Sequence, residues 1–400
     1  MLNQASYFPI KKTDSLYQFA VFALFLYITL SIFYIFPSGN PQPADILMAL
    51  GIGVVFLAAL SKPNISMNQV SVFALSFGVF TLIINLIHYA FLPDPKFFKS
   101  SLYYIYNAAI MIFTIWVFKK HPIKTWKIVY VGVIVSFLIE FIFVQFLPSM
   151  HGFKATGTFI NPNQLATWTI INTCMLLILC QYKKLNYIDF ILLIGFGYFH
   201  TLALSKAGLI CFCLVVASLF FMNPTSIRTK VTLFTLAFLA FILAINNVGF
   251  TDNLLQKYHN LDTAVSELNT IGTQKDESLE GRNYTRIFNN PEYILLGAGE
   301  GGYGRFEDSA KNLEIHSGLG TILFSYGIMG LTIFFLLLFS IVRKTNFLFL
   351  YLIGVLMVFG LVHQNIRFSH FWLFLGVAYG MRYVSYAATD DKDALSFSRT

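Results

Sequence analysis

The chain has 400 residues, of which 56% are apolar and only 12% carry charge. A soluble domain is about 25% charged, so lipid rather than water surrounds most of this surface. The net charge of +8 would suit nucleic acid, but the placement of the lysines gives it a different meaning. The four cysteines, Cys174, Cys180, Cys211 and Cys213, lie inside apolar runs and show neither a zinc-ligand spacing nor a disulfide framework.

A bilayer span takes about 20 apolar residues. In chain order, spans are predicted over residues 17–36, 44–60, 69–92, 100–118, 126–147, 164–182, 187–204, 207–222 and 230–248, then 317–342, 347–363 and 369–385. The expected fold is all-α, a polytopic membrane protein with about 12 transmembrane helices. One long extracytoplasmic loop containing short helices interrupts it. Residues 1–248 would hold helices one to nine, 249–316 the loop, 317–385 helices ten to twelve, and 386–400 a cytoplasmic tail. The first run follows Lys11 and Lys12 but shows no small-residue cleavage site, so it reads as a retained span. Only Ser205-Lys206 separates the seventh run from the eighth, which predicts a tight turn.

Cytoplasmic loops collect Lys and Arg. With the N-terminus inside, one face receives Lys11, Lys12, Lys62, Lys119, Lys120, Lys124, Lys127, Lys183, Lys184, Arg228, Lys230, Arg343, Lys344 and Arg382. The short loops of the other face receive only Lys96, Lys99, Lys154, Lys206 and Arg367. Both termini are thus expected in the cytoplasm and residues 249–316 outside. The positive charge is a topology signal, and no nucleic-acid partner is expected.

The loop is far longer than an ordinary connection and holds most of the acidic residues. Leu254, Tyr258, Leu261, Val265 and Leu268 recur at helical spacing, which predicts a helix that packs on the bundle or the membrane interface. Gly281 to Arg286 leads into a second short helix. Gly297-Ala298-Gly299-Glu300-Gly301-Gly302 fits a dinucleotide-binding pattern, but no strand precedes it and no βαβ unit surrounds it, so it reads as a turn-rich loop.

Ionisable groups inside a bilayer are costly and require a reason. His88, Glu140, His200, His363 and His370, with Asn107, Asn246 and Asn247, fall in or near the outer halves of their spans, and the inner halves are nearly free of such groups. A lone membrane histidine usually packs, whereas a one-sided cluster points to an outward-facing polar cavity. Arg282 and Arg286 are four apart, and on a helix they would share a face. Two guanidinium forks suit a diphosphate; the plainer alternative is a solvated helix paired with Asp276, Glu277 and Glu280. His316, at the junction of loop and span, could accept a hydroxyl proton or merely hydrogen-bond the helix start.

Three stretches together resemble the O-antigen ligase and Wzy polymerase superfamily of bacterial surface-polysaccharide enzymes. The most specific is His316-Ser317, nine residues, then Gly327-Ile328-Met329-Gly330. The second is Gly281-Arg282 followed by Pro291-Glu292-Tyr293-Ile294-Leu295-Leu296-Gly297-Ala298-Gly299. The third is Gly157-Thr158-Phe159-Ile160-Asn161-Pro162-Asn163. The resemblance spans roughly residues 157–330. It departs at Ser205-Lys206, where the family carries Ser-Arg or Thr-Arg; lysine keeps the charge but loses the bidentate fork.

The resemblance implies a GT-C-like glycosyltransferase of the bacterial inner membrane. It would move glycan from undecaprenyl diphosphate to an acceptor hydroxyl on a glycan, lipid A-core or protein, with membrane lipids around it. His316 and Arg282 would be catalytic, and Lys206, Arg286, Arg367, Asn161 and Asn163 would contact substrate. No cofactor and no metal are expected, because cations can offset the leaving diphosphate and the first outer loop offers one carboxylate, Asp45. Polymerase and ligase are not separated by the sequence. A polysaccharide-lipid transporter is the alternative outside the enzyme class, although neither repeated halves nor midplane charges are evident. Cysteines introduced between residues 249 and 316 should react with an impermeant thiol reagent in intact spheroplasts. Labelling only after lysis would overturn the orientation.

Overall fold

The computed structural model describes residues 15–37, 39–60, 67–146, 154–183, 185–203, 205–221, 281–306, 314–343 and 345–390, with residues 231 and 235. The helices are α1 (Ser15–Leu30), α2 (Pro43–Leu60), α3 (Gln69–Phe91), α4 (Lys96–Lys120), α5 (Pro122–Phe146), α6 (Pro162–Cys180), α7 (Tyr187–Ala203) and α8 (Lys206–Ala217). After them come the short α9 (Thr285–Asn289), then α10 (Gly318–Val342), α11 (Phe347–Gly360) and α12 (Ser369–Asp390). Six of them, α2 to α6 and α10, are long and apolar enough to cross a membrane, and α1, α7, α8 and α11 are shorter apolar helices. The chain is thus an all-helical, multi-pass membrane protein. The expected ninth span, apart from residues 231 and 235, and the helix expected around Leu254 to Leu268 lie outside the described residues.

Consecutive helices run antiparallel, because their alternate ends meet on two opposite faces. On one face Tyr17 bonds Thr125 (3.1 Å) and Trp126 donates to the Leu179 carbonyl (2.8 Å). On the other, the Tyr34 N–H donates to the Thr158 carbonyl (3.2 Å) and Asn107 donates to the Arg367 carbonyl (3.0 Å). Helix α4 packs along α3 and α12, and α6 is enclosed on nearly every side. At the rim, α2 leaves Leu50, Phe56, Leu57 and Leu60 exposed, as lipid contact permits.

Helix ends differ from the apolar runs where side chains take over backbone donors. Helix α1 stops at Leu30, short of the predicted residue 36, and the N–H groups of Ile35 and Phe36 instead donate to Gln42 Oε1 (2.9 and 3.0 Å). Helix α8 stops at Ala217 and gives way to a 3₁₀ turn, Ser218–Phe221. Helix α12 continues to Asp390, so the boundary expected at residue 386 falls within a helix. The tight turn before Lys206 is present, with Ser205 capping α8 by accepting from the Gly208 N–H (3.2 Å).

The feature that shapes the loop face is a break in α10. Gly327 has φ 65° and ψ −172°, a conformation essentially restricted to glycine. The break strips neighbouring peptide groups of their helical partners, and residues 294–299 replace them. The N–H groups of Ala298 and Gly299 donate to the carbonyls of Phe324 and Ser325 (2.9 and 2.8 Å). In return, those of Ile328 and Met329 donate to the carbonyls of Ile294 and Leu295 (2.8 and 3.4 Å). Irregular backbone is tolerated at membrane depth only when protein satisfies it in this way. A side chain on Gly327 would run into the Leu295 carbonyl. Gly327→Ala should therefore destabilise the protein by at least about 1–3 kcal/mol from the backbone alone, measured by thermal unfolding in detergent. Gly354→Ala, which meets nothing within 4 Å, should not; equal melting of the two variants would refute the docking.

Candidate active site

Three backbone segments lace together on the loop face. Residues 281–284 form a turn in which Asn283 takes φ 59°, and Asn283 Nδ2 donates to the Glu314 carbonyl (3.1 Å). The His316 N–H donates to the Arg282 carbonyl (3.1 Å). Ser317 caps α10 by accepting from the Gly320 N–H (2.9 Å), and its hydroxyl donates to the Gly360 carbonyl (3.0 Å). The third segment, 361–364, joins through the Gly318 N–H to the His363 carbonyl (2.9 Å) and through Tyr284 Oη to the Leu361 carbonyl (2.5 Å). Arg282 Nη1 donates to the Val362 carbonyl, and Gln364 donates to the Ile315 carbonyl.

This lacing brings Arg282 and His316, 34 positions apart in the chain, into one cluster. The His316 side chain is exposed, and among the described residues it makes no hydrogen bond. His363 lies between them and the turn before α8, with Nε2 3.5 Å from Ser205 Oγ, which places Lys206 at the same edge. Both Arg282 and His316 act electrostatically on His363. Behind it, His200 in the last turn of α7 is buried, and neither ring nitrogen has a hydrogen bond among the described residues.

The other expected contacts sit differently. Arg282 and Arg286 do not share a helical face: Arg282 belongs to the turn, and α9 begins only at Thr285. Arg286 is buried, with its guanidinium carbon 5.7 Å from the Tyr303 ring and 5.2 Å from that of Phe306. Arg367 is engaged by two carboxylates, Glu300 and Glu314, the latter at 2.5 Å. Asn161 is the N-cap of α6, accepting from the Gln164 N–H (2.9 Å) in a capping box. Asn163 is exposed in the first turn of α6. Gly157, at φ 55°, lets the same turn close onto the buried Glu140, whose Oε2 lies 2.5 Å from the Thr158 hydroxyl.

The one-sided polar groups therefore do not line a single cavity. His370 bonds Ser31 (2.9 Å), His88 bonds the Gly297 carbonyl (3.0 Å) and Asn107 bonds the Arg367 carbonyl. Only His200 and His363 join the Arg282–His316 cluster; Asn246 and Asn247 lie outside the described residues. On the opposite face, Asp189 is fully buried against Lys183 (2.7 Å) and Tyr130 (2.7 Å), a pair that the apolar pattern concealed. Among the described residues no three His, Cys, Asp or Glu side chains converge as a metal site.

Sequence reading missed the network around Arg367. The Tyr326 hydroxyl donates to Glu300 Oε2 (2.9 Å), the Glu300 N–H donates to Asn85 Oδ1 (2.7 Å), and Arg367 Nη2 donates to the Tyr303 hydroxyl (3.3 Å). A carboxylate inside a glycine-rich run and another two residues before His316 were the available signals. Burial lifts Glu300 above the usual carboxylate range despite the guanidinium. At Glu314 burial is the largest influence and pulls upward too, but the charge and hydrogen bond of Arg367, with His316 and Lys96, together hold the carboxyl below its ordinary 4.5.

The depressed Glu314 gives the clamp a defined pH sign. Its stabilisation is fully present above about pH 4.5 and is lost as pH falls through the lower folded-state value. The melting-temperature gap between wild type and Glu314→Gln should be largest at neutral pH and shrink by pH 3; a constant gap would refute the assignment. No protein-family model matches the chain, and no curated protein matches its sequence.

Proposed function

We propose that the protein is a membrane glycosyltransferase. It moves glycan from undecaprenyl diphosphate to an acceptor hydroxyl in bacterial surface-polysaccharide synthesis, on the extracytoplasmic side of the inner membrane. The observation that carries this reading is the tether from the His316 N–H to the Arg282 carbonyl. It joins the backbone of Arg282 to that of His316, whose imidazole is exposed. The resemblance of the three sequence motifs supports it independently.

The chemistry follows from the groups present. The acceptor oxygen bonds to the anomeric carbon while the bond from that carbon to the diphosphate oxygen breaks. His316 takes the hydroxyl proton, and the electron pair leaves with undecaprenyl diphosphate. Arg282 and Lys206 offset the charge that develops there. Arg286, packed on aromatic rings, and Arg367, held by carboxylates, are less available to the donor.

Purified protein in detergent, given lipid-linked glycan and acceptor, should form the transferred product without any added partner. Failure of that reaction would favour a carrier. His316→Ala should slow transfer by about 10²–10⁴-fold, the usual worth of a positioned base, with protein level unchanged. His316→Gln should fail equally if a base is required and keep partial activity if only a hydrogen bond is. Arg282→Lys should lose most activity, because a point charge replaces a fork. EDTA should leave wild-type transfer intact. A fully active His316→Ala protein would refute the site. In a deletion strain, single capped units would indicate a polymerase and accumulated lipid-linked chains a ligase.

A further inference from the structure

The Arg367 guanidinium joins two segments of the loop to the turn before α12. One is the glycine-rich loop, through Glu300; the other is the segment entering His316, through Glu314. Its own position is anchored from three sides. It ends the 3₁₀ turn Asn365–Arg367, whose Asn365 Nδ2 donates to the Leu356 carbonyl of α11 (2.7 Å). Trp372 Nε1 of α12 donates to the Ile366 carbonyl (2.7 Å), and Asn107 of α4 donates to the carbonyl of Arg367 itself (3.0 Å). Glu300 is fixed in turn by Tyr326 of α10 and Asn85 of α3.

Glu314 stands at the other end of this bridge, two residues before His316. His316 has no side-chain hydrogen bond among the described residues, so apart from the charge of Glu314 its placement rests on the backbone on either side of it. On the C-terminal side that backbone is the capped start of α10. On the N-terminal side it is Ile315 and Glu314, held by Gln364, Asn283 and Arg367. A guanidinium shared between two carboxylates on a rigid turn gives directional, two-point restraint that an ammonium does not.

We propose that Arg367, acting through Glu314, is a positioning residue that sets the place of His316 and does not contact the donor diphosphate. The role rests on the glycosyl-transfer reading for its kinetic consequence, whereas the restraint itself does not. A reactive group displaced by about 1 Å loses on the order of 10²-fold in rate. Glu314→Gln and Arg367→Gln should accordingly lower kcat by roughly that factor, with KM for the lipid-linked donor held within about twofold. Arg367→Lys should recover part of kcat, since it keeps one ionic partner. Glu314 is the partly exposed partner of the pair, so its variant remains informative if Arg367 variants do not fold.

Two measurements test this. The first is steady-state transfer in detergent, where a rise in donor KM with kcat unchanged would overturn the proposal and make Arg367 a donor contact. The second needs no activity: the rate at which maleimide labels His316→Cys in a protein whose Cys174, Cys180, Cys211 and Cys213 are replaced by Ala, with and without Glu314→Gln, followed across pH so that the limiting thiolate rate is compared free of any shift in thiol pKa. A changed labelling rate supports the restraint, and an unchanged one overturns it. If wild-type protein transfers no glycan at all, the labelling result still decides the positioning role, while the glycosyl-transfer reading fails separately.

Discussion

The loop face of this protein depends on one constraint: a helix broken inside the membrane domain must find new partners for its peptide groups. At Gly327 the chain leaves helical geometry, and residues 294–299 supply both donors and acceptors to the opened turns. An unsatisfied peptide group in apolar surroundings costs several kcal/mol, so the four mutual hydrogen bonds hold the two segments in one register. That register brings the glycine-rich loop down against α3 and α4. Glu300 thereby reaches Asn85, Tyr326 and Arg367. The nine residues between Ser317 and Gly327 acquire a meaning from this: the first caps α10 and the second breaks it.

A second layer of order is electrostatic. Arg367 faces two carboxylates in opposite regimes, Glu300 raised by burial and Glu314 lowered by the guanidinium. Because both belong to segments that precede α10, the ion pairs tie loop to bundle rather than helix to helix. Arg286 is held differently, against aromatic rings, where the planar guanidinium interacts with the ring faces. These arginines organise the loop. Arg282 instead lies in the turn that meets His316, and that separation of duties is what concentrates the proposed chemistry on Arg282, His316 and Lys206.

The polar groups of the spans fall into the same two kinds. Glu140 with Thr158, His370 with Ser31 and His88 with Gly297 each close a local contact between elements. Such pairs stabilise helix association in lipid, where there is no hydrophobic force between helices. His363 and His200 differ, because they stand behind the cluster that carries His316.

The apolar runs were enough to place the helices, because a segment of sufficient length and hydropathy has few alternatives in lipid. Eleven of the twelve expected runs are helical among the described residues, six of them long and apolar enough to cross a membrane, and most of the ninth lies outside them. Their ends were less legible: α1 stops early because Gln42 takes its donors, and no hydropathy pattern contains that information. Motif spacing singled out Arg282, His316 and Gly327 as candidates, but not what each one touches. Placing Arg282 and Arg286 on one face required a helix that the positive φ of Asn283 excludes. Burial of Arg286, the seizure of Arg367 by Glu300 and Glu314, and the meeting of residues 282, 316 and 363 are all long-range events. Local sequence determines which segments enter the bilayer through transfer free energy, which each segment carries within itself. Which side chains then meet is decided by the closure of the chain, since contacts between residues tens to hundreds of positions apart exist only once the helices have packed.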